Sequence, residues 1–423
     1  MSPVNDRGAI SADQLALLSL SAALLFQNGQ TTQSTTLAVS RLAAALGHGA
    51  LLFPSWGEIG IRVDGPAGGA YEIVGATPAG VDMNRVVATM KVIDEMCAGR
   101  IDVAAARTSF EAIARYPPVG VARLASFAGA GAAALGVIFG TMHWRALILI
   151  AFSASLGACL RRWLAGLSGN LFLQPFCAAL LAGGIGAVAV RLELSSALRL
   201  IAVCPCMVLV PGPHFLNGAM DLIRGRVPLG AARIGYASLT VLMICIGLLV
   251  GLSLGGVSLP VSGPSLSIPL AYDVMAAAVA VAAYGTFFAM PWPMLPIPIV
   301  IGALAHACRW AVISIGGGSV ETGALVACLV AGILVTPLGD RLRLPFAAVG
   351  FASVVSLIPG VFLFRMAGGL VALISQRGTS PELLLSIVMD GSTAFVIFLA
   401  MAFGLIAPKM LIDRFQERGP SRL

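Results

Sequence analysis

Three polar residues share one helical face inside an apolar stretch: His214, Asn217 and Asp221 in His214-Phe-Leu-Asn217-Gly-Ala-Met-Asp221. Their i, i+3, i+7 spacing stacks an imidazole, an amide and a carboxylate along one side of a helix. Such a face suits a small polar solute, and its two titratable groups suit a proton. Asp221 has a second reading, as the end of a span paired with Arg224 three residues on. Further along, Arg365 falls inside a long apolar run, where a guanidinium needs an anion or water. Asp390 and Glu321 are its acidic candidates, and His306 and Arg309 form another i, i+3 pair. A proton-driven carrier needs a titratable group that reaches both sides, which makes Asp221, Asp390 and His214 the proton-coupling candidates. For each of them the plain alternative is an internal ion pair that orients helices. Cys204-Pro-Cys206 could hold a soft metal between two thiolates. Nothing else in the chain suits a metal pump, since it has no P-loop and no nucleotide-sized domain, so no metal site is expected.

The polar face follows directly on Val208-Leu-Val-Pro211-Gly212, and a near copy, Ser356-Leu-Ile-Pro359-Gly360, precedes Arg365. Proline removes a backbone donor and clashes one turn back, and glycine lets the next residues bend. Each pair should break a helix at mid-depth, freeing polar backbone that only a ligand, water or neighbouring protein can satisfy. The expected substrate-binding positions are therefore Pro211, Gly212, His214, Asn217, Asp221, Pro359, Gly360 and Arg365. A kink for packing alone is the other reading of the two pairs.

The elements that must position these groups follow from composition. Of 423 residues, 58% are hydrophobic and 11% charged, with a mean hydropathy of +0.94. A chain of this length in water needs more polar surface, so the surplus must face lipid. Spans are expected at 120–141, 145–162, 170–190, 198–220, 232–257, 271–290, 294–314, 319–338, 345–372 and 383–405, each near the ~20 residues a bilayer requires. The two Pro-Gly pairs fall in the fourth span of each set of five. An odd number of spans per half makes the halves enter the membrane in opposite senses. The expected fold is thus an all-α polytopic membrane protein of about ten transmembrane helices, a 5+5 inverted repeat with a small N-terminal α/β cytoplasmic domain. Its parts are residues 1–117, the halves 118–258 and 259–408, and a basic cytoplasmic tail, 409–423.

Charge gives the orientation. The formal net charge is +7, but the basic residues sit singly or in pairs at span ends, with no stretch that could follow a phosphate backbone. Arg161, Arg162, Arg224, Arg226, Arg341, Arg343, Lys409, Arg414, Arg418 and Arg422 fall on one side. Arg145, Arg191 and Arg377 fall on the other, with Arg199 at a span edge. The positive-inside rule then puts both termini in the cytoplasm. Trp144, Trp163 and Trp292 mark span ends, and Gly247, Gly251 and Gly255 form a face for close helix contact. The eight cysteines form no CxxC pair and read as small buried thiols rather than disulfides.

Before the first span the texture is that of a water-soluble fold, ended by Pro117-Pro118. The apolar run Leu15 to Phe26 is too short to cross a bilayer and is expected to open this domain. Helices are expected at Gln14–Asn28, Thr32–Leu46, Asp82–Cys97 and Val103–Arg115, with Asp82 and Asp102 as N-caps. Short strands are expected at Ala50–Phe53, Glu58–Val63 and Tyr71–Val74. No nucleophile has a base at a recognisable spacing, so the domain reads as a regulatory or gating module rather than an enzyme.

Asn28-Gly29-Gln30-Thr31-Thr32 through Arg41 to Ala45-Leu46-Gly47 resembles the opening helix pair of the threonine/serine exporter family. Val210-Pro211-Gly212, Asn217, Asp221-Leu222, Gly225, Gly230 and Arg233 resemble its best-marked motif. The stretch from Pro345 to Leu357-Ile358-Pro359-Gly360 resembles its C-terminal module, which is a separate chain in some relatives. The resemblance implies a multi-pass bacterial inner-membrane exporter of small hydroxy amino acids, driven by the proton motive force as an antiporter. It marks Pro211, Gly212, Asn217, Asp221 and Arg233 as the positions that matter. Gly225, Arg233 and Glu321 stand as structural or motif positions. Export of a small dicarboxylate such as succinate is the alternative, followed by a sensor or scaffold without transport. The expected partners are a small-molecule substrate, protons and the lipid bilayer, with no cofactor and no nucleic acid, and a homo-oligomer is left open.

Overall fold

The computed structural model describes residues 10–64, 69–194, 197–258, 268–342, 345–375 and 380–418. Arg343, Arg377 and Arg422 lie outside the described residues, as do the side chains of Arg199 and Arg418.

The N-terminal unit has helices α1 (Ala12–Gln27) and α2 (Thr32–Ala45), strands β1 (Ala50–Pro54), β2 (Gly57–Val63) and β3 (Ala70–Ala76), and helices α3 (Met83–Cys97) and α4 (Val103–Ala114). The strands pair antiparallel in the order β1-β2-β3, with Leu52 opposite Ile61 and Ile61 opposite Glu72. Helix α1 is apolar on every side because β2 and β3 cover one face and α2, α3 and α4 cover the rest; Leu17, Leu18, Leu25 and Phe26 are fully buried. Asp82 and Asp102 cap α3 and α4 by accepting the N–H groups of Arg85 and Ala105. All four helices and the three-stranded sheet stand where the residue pattern puts them.

Among the described residues eight further helices are long and apolar enough to cross a membrane, and counting each of two bent pairs as one span brings the total to ten. The first five spans are α5 (Val121–Ile138), α6 (Trp144–Leu167), α7 (Leu173–Arg191), the pair α8 (Leu198–Met207) with α9 (Gly212–Ile223), and α10 (Val227–Leu254). The second five are α11 (Leu270–Phe287), α12 (Pro296–Ser314), α13 (Val320–Leu342), the pair α14 (Phe346–Val354) with α15 (Gly360–Ser375), and α16 (Pro381–Arg418). The chain is a polytopic α-helical membrane protein. Trp144, Trp163 and Trp292 are exposed at span ends.

Both Pro-Gly pairs break their helices, by 52° between α8 and α9 and by 64° between α14 and α15. The first half of each broken span is the core of its own set. Helix α8 touches α5, α6 and α7, and α14 touches α11, α12 and α13 in the same way; α7 pairs with α10 as α13 pairs with α16. The sets meet where α5 packs on α11 and where the broken spans cross. A Cβ on Gly212 would lie 1.6 Å from the Phe351 ring of α14, and one on Gly360 would lie 2.8 Å from Met207 of α8. Each break is therefore seated on the other's broken span. The glycine face of α10 meets α7, where a Cβ on Gly251 would be 2.2 Å from the Leu180 carbonyl.

The expected basic tail begins inside the last helix. Helix α16 runs through Pro408 to Arg418, and Lys409 is buried with its ammonium 5.7 Å from the Phe346 ring. Close packing carries the helix past the proline: a Cβ on Gly332 of α13 would meet the Gly404 and Leu405 carbonyls.

Candidate functional site

The first break opens onto a cavity of about 330 Å³ between the N-terminal unit and the first five spans. The break itself supplies Leu209, Val210, Pro211 and Pro213, and α9 adds His214. Helix α6 contributes Arg161 and Arg162, α10 contributes Tyr236 and Thr240, and the end of α11 contributes Phe287, Phe288 and Ala289. The loop before α3 closes the cavity with Ala79, Gly80, Val81 and Asp82. A smaller void of about 20 Å³ continues past Arg161 and Leu209 to Pro205 and Ser153.

The charges in this cavity are two guanidiniums and one carboxylate. Arg162 donates to the Val119 carbonyl and is held at the wall. Arg161 lies over the Phe287 ring at 4.9 Å, and its Nε has no hydrogen-bond partner. Among the described residues Arg161 makes no ion pair with a carboxylate. A buried guanidinium without an anion is costly, and a bound carboxylate would offset that cost by bidentate hydrogen bonding. Asp82 sits across the loop with its side chain 3.5 Å from Arg85 Nε. Burial holds its carboxyl above the usual carboxylate range, against the hydrogen bonds and the Arg85 charge that pull it down. The His214 imidazole lies beside the loop before α3, leaves Nδ1 without a hydrogen-bond partner, and packs on Tyr236 at 5.2 Å.

Asn217 and Asp221 stand on the same helix but outside the cavity lining. They receive the turn between α1 and α2. Asn217 donates to the Gly29 carbonyl at 3.3 Å, and Thr32 donates to Asp221 at 3.0 Å. Gly29 has a φ of +91° and no room for a Cβ beside Val81, so the turn needs glycine there. Asp221 is 2% exposed and faces Arg226 at 3.5 Å and Arg233 at 3.4 Å. Arg226 also donates to Gln33, and Arg233 lies 5.0 Å from the Phe26 ring. The pairing with Arg224, one of the two readings of Asp221, is thus replaced by Arg226 and Arg233, because Gly225 has a φ of +78° and ends the helix between them. Two of the blocks that carry the family resemblance, one in α1–α2 and one in α9–α10, touch each other.

The second break lines neither of the two cavities above. Arg365 is paired with Asp390 at 3.1 Å, so its charge is answered within the protein. Glu321 lies in the first turn of α13 and takes no part in that pair. Pro359 and Gly360 are buried against α8. His306 is fully buried between Asp273 and Ser356.

The residue pattern pointed to Pro211 and His214, which line the cavity, but left out Arg161, Asp82, Tyr236 and Asp273. By sequence alone Arg161 and Arg162 are markers of the cytoplasmic side. The available signal was that a span from Trp144 can run past them, as α6 does to Leu167, which turns one guanidinium inward. Asp82 was assigned only as a helix cap, and no pattern singled out Asp273.

Two family models match the chain. One described as "Putative threonine/serine exporter" covers residues 16–255, and one described as "Threonine/Serine exporter, ThrE" covers residues 273–411. A comparison with curated proteins and one with solved structures each return no match.

Proposed function

The chain belongs to the threonine/serine exporter family, and we propose that it is a secondary active exporter of threonine or serine driven by the proton motive force. The observation that carries the substrate site is Arg161, whose Nε has no hydrogen-bond partner in a cavity beside the first helix break. A zwitterion fits this arrangement: its carboxylate meets Arg161 and its ammonium meets Asp82 on the opposite loop. The cavity of about 330 Å³ lies in the range typical of small-molecule sites, with room for threonine and water. His214 and Tyr236 supply polar edges for a hydroxyl.

The chain sits in the bacterial inner membrane with both termini in the cytoplasm. In support, Arg161 and Arg162 line the cavity together with the loop of the N-terminal unit, and Arg226 donates to Gln33 of α2. The cavity is on that side, as a loading site for export must be. The matched neighbours of α8 and α14 support reading the spans as a 5+5 inverted repeat. Asn217, Asp221 and Arg233 then hold the N-terminal unit over the site.

A second reading has its own observation: Arg161 and Arg162 both line the cavity, which would suit a dicarboxylate such as succinate. Counterflow into liposomes containing purified protein separates the two. We expect labelled threonine or serine to exchange and Arg161→Gln to lose at least about tenfold in rate at low substrate. Exchange of succinate alone would install the second reading. Arg161→Gln with unaltered exchange would remove the proposed site.

A further inference from the structure

Deep in the second five spans, three polar side chains from three elements form a hydrogen-bonded line that no part of the cavity uses. Asp273 comes from the first turn of α11, His306 from α12, and Ser356 from the 3-10 turn Val355–Leu357 that leads into Pro359. Asp273 Oδ2 is 3.0 Å from His306 Nδ1, and Ser356 Oγ is hydrogen-bonded to His306 Nε2. Their exposures are 1%, 0% and 3%. A polar cluster this deep in apolar packing is costly unless it is satisfied or used. Here it is incompletely satisfied, since Asp273 Oδ1 has no hydrogen-bond partner and its nearest cation, Arg309, stands 3.9 Å away.

An aspartate, a histidine and a serine in line also describe a hydrolytic triad. Neither described cavity reaches Ser356, so an ester or amide has no route to its hydroxyl. A proton needs no such cavity. We propose that Asp273, His306 and Ser356 form the proton-binding chain of this exporter, with His306 as the carrier and Ser356 as its link to the second helix break. This rests on the proton-driven reading above and names its residues.

The exchange balances without a further reactant. In the neutral state Nδ1–H donates to Asp273 and the Ser356 hydroxyl donates to Nε2. One incoming proton bonds to Nε2, the imidazole becomes an imidazolium, and Nε2–H now donates to Ser356 Oγ. The serine hydrogen must then turn to another acceptor, at the place where α14 and α15 bend by 64°. Releasing the proton restores the first arrangement. The charged groups around the carrier are few. Arg309 shares its helix, and Asp273 faces it from α11. Helix α14 carries no ionisable side chain, Cys328 of α13 packs on Gly404, and Tyr284 of α11 donates to the Met207 carbonyl. Among the described residues the added positive charge is balanced by Asp273, with Arg309 opposing it and Glu321 standing in the first turn of the neighbouring α13.

Two measurements on the full chain test this. Trp310 lies one turn after His306 and donates to the Ile268 carbonyl. An imidazolium at 306 should quench its emission, so the fluorescence of the wild type should change with pH in a step that reports protonation of His306. That component should be missing in His306→Gln. The second measurement compares threonine counterflow at equal pH with efflux against an inward proton gradient. We expect His306→Gln and Asp273→Asn to keep counterflow within about twofold but to lose about tenfold or more of the gradient's acceleration. Ser356→Ala should keep both and shift the pH midpoint of efflux by about one unit. The proposal is overturned by a fluorescence titration identical in His306→Gln, or by acceleration that survives in that variant. Parallel loss of counterflow and acceleration with an unchanged melting temperature would overturn it too, as a role in packing or opening alone. A wild type that exchanges threonine, serine and succinate at no measurable rate would sink the exporter reading, while the fluorescence titration would still decide whether His306 binds a proton.

Discussion

Arg161 and Asp82 carry opposite charge and line one cavity from different elements, and each is tied down by something other than the other. The guanidinium rests on Phe287, and the carboxylate caps α3 and leans on Arg85. Asp82→Asn is a sharp test because asparagine caps a helix about as well as aspartate. The helix should survive while the ammonium site is lost. We expect threonine counterflow to fall at least about tenfold and any succinate exchange to persist. Acid should act earlier than usual in the wild type. Burial raises the Asp82 carboxyl, so it takes up its proton, and releases an ammonium, at a higher pH than an exposed aspartate would. The apparent affinity for threonine should therefore weaken as pH falls toward that raised value, and Asp82→Asn should lack this step. A pH profile unchanged by the substitution would mean that Asp82 does not meet the substrate. At this scale the sequence was only partly legible. His214 and Pro211 stood out because a polar face and a Pro-Gly pair are visible in one dimension. Arg161 did not, because an arginine near a span end looks the same whether it faces phosphate or a cavity. Asp273, His306 and Ser356 come from three spans, and no spacing rule links them.

The elements were legible almost to their ends, since a bilayer imposes length and apolarity on each one. The breaks were legible too, because a missing donor at proline cannot be hidden by context. Their mutual packing was not. Gly212 lies against Phe351 and Gly360 against Met207, contacts between residues far apart in the chain. The prediction here is Gly212→Ala. Its Cβ would overlap the Phe351 ring at 1.6 Å, and overpacking of this kind costs about 1–3 kcal/mol. We expect a lower melting temperature and loss of exchange, both partly restored by adding Phe351→Leu. Additive effects of the two changes would show that the contact does not couple the breaks.

In the whole molecule, the N-terminal unit rests on the membrane part through the α1–α2 turn, through the loop before α3 and through Trp56, whose ring lies 5.1 Å from that of Tyr236. Thr32, Gly29 and Gln33 meet Asp221, Asn217 and Arg226, while Met83 N–H bonds to the Phe288 carbonyl beside the cavity. Asp221 is the hub, facing two guanidiniums. Asp221→Asn would leave Arg226 and Arg233 opposed only by polar groups, and breaking a buried pair in this way costs about 3–5 kcal/mol. The unit should loosen, and amide exchange of residues 28–36 should quicken while the sheet stays protected. Unaltered exchange there would show that the turn is held by packing rather than charge. This docking was not legible in the residue order, because each half of it reads as a complete local motif.

The crossed breaks carry a consequence for leakage. Each bend rests on the other's broken helix, so the two cannot swing independently without opening a void or a clash at Phe351 or Met207. A machine with a single shared fulcrum has one degree of freedom. Proton entry at one bend and solute exit at the other would then be locked to a fixed ratio, and a futile stroke that moves only one of them would be mechanically forbidden.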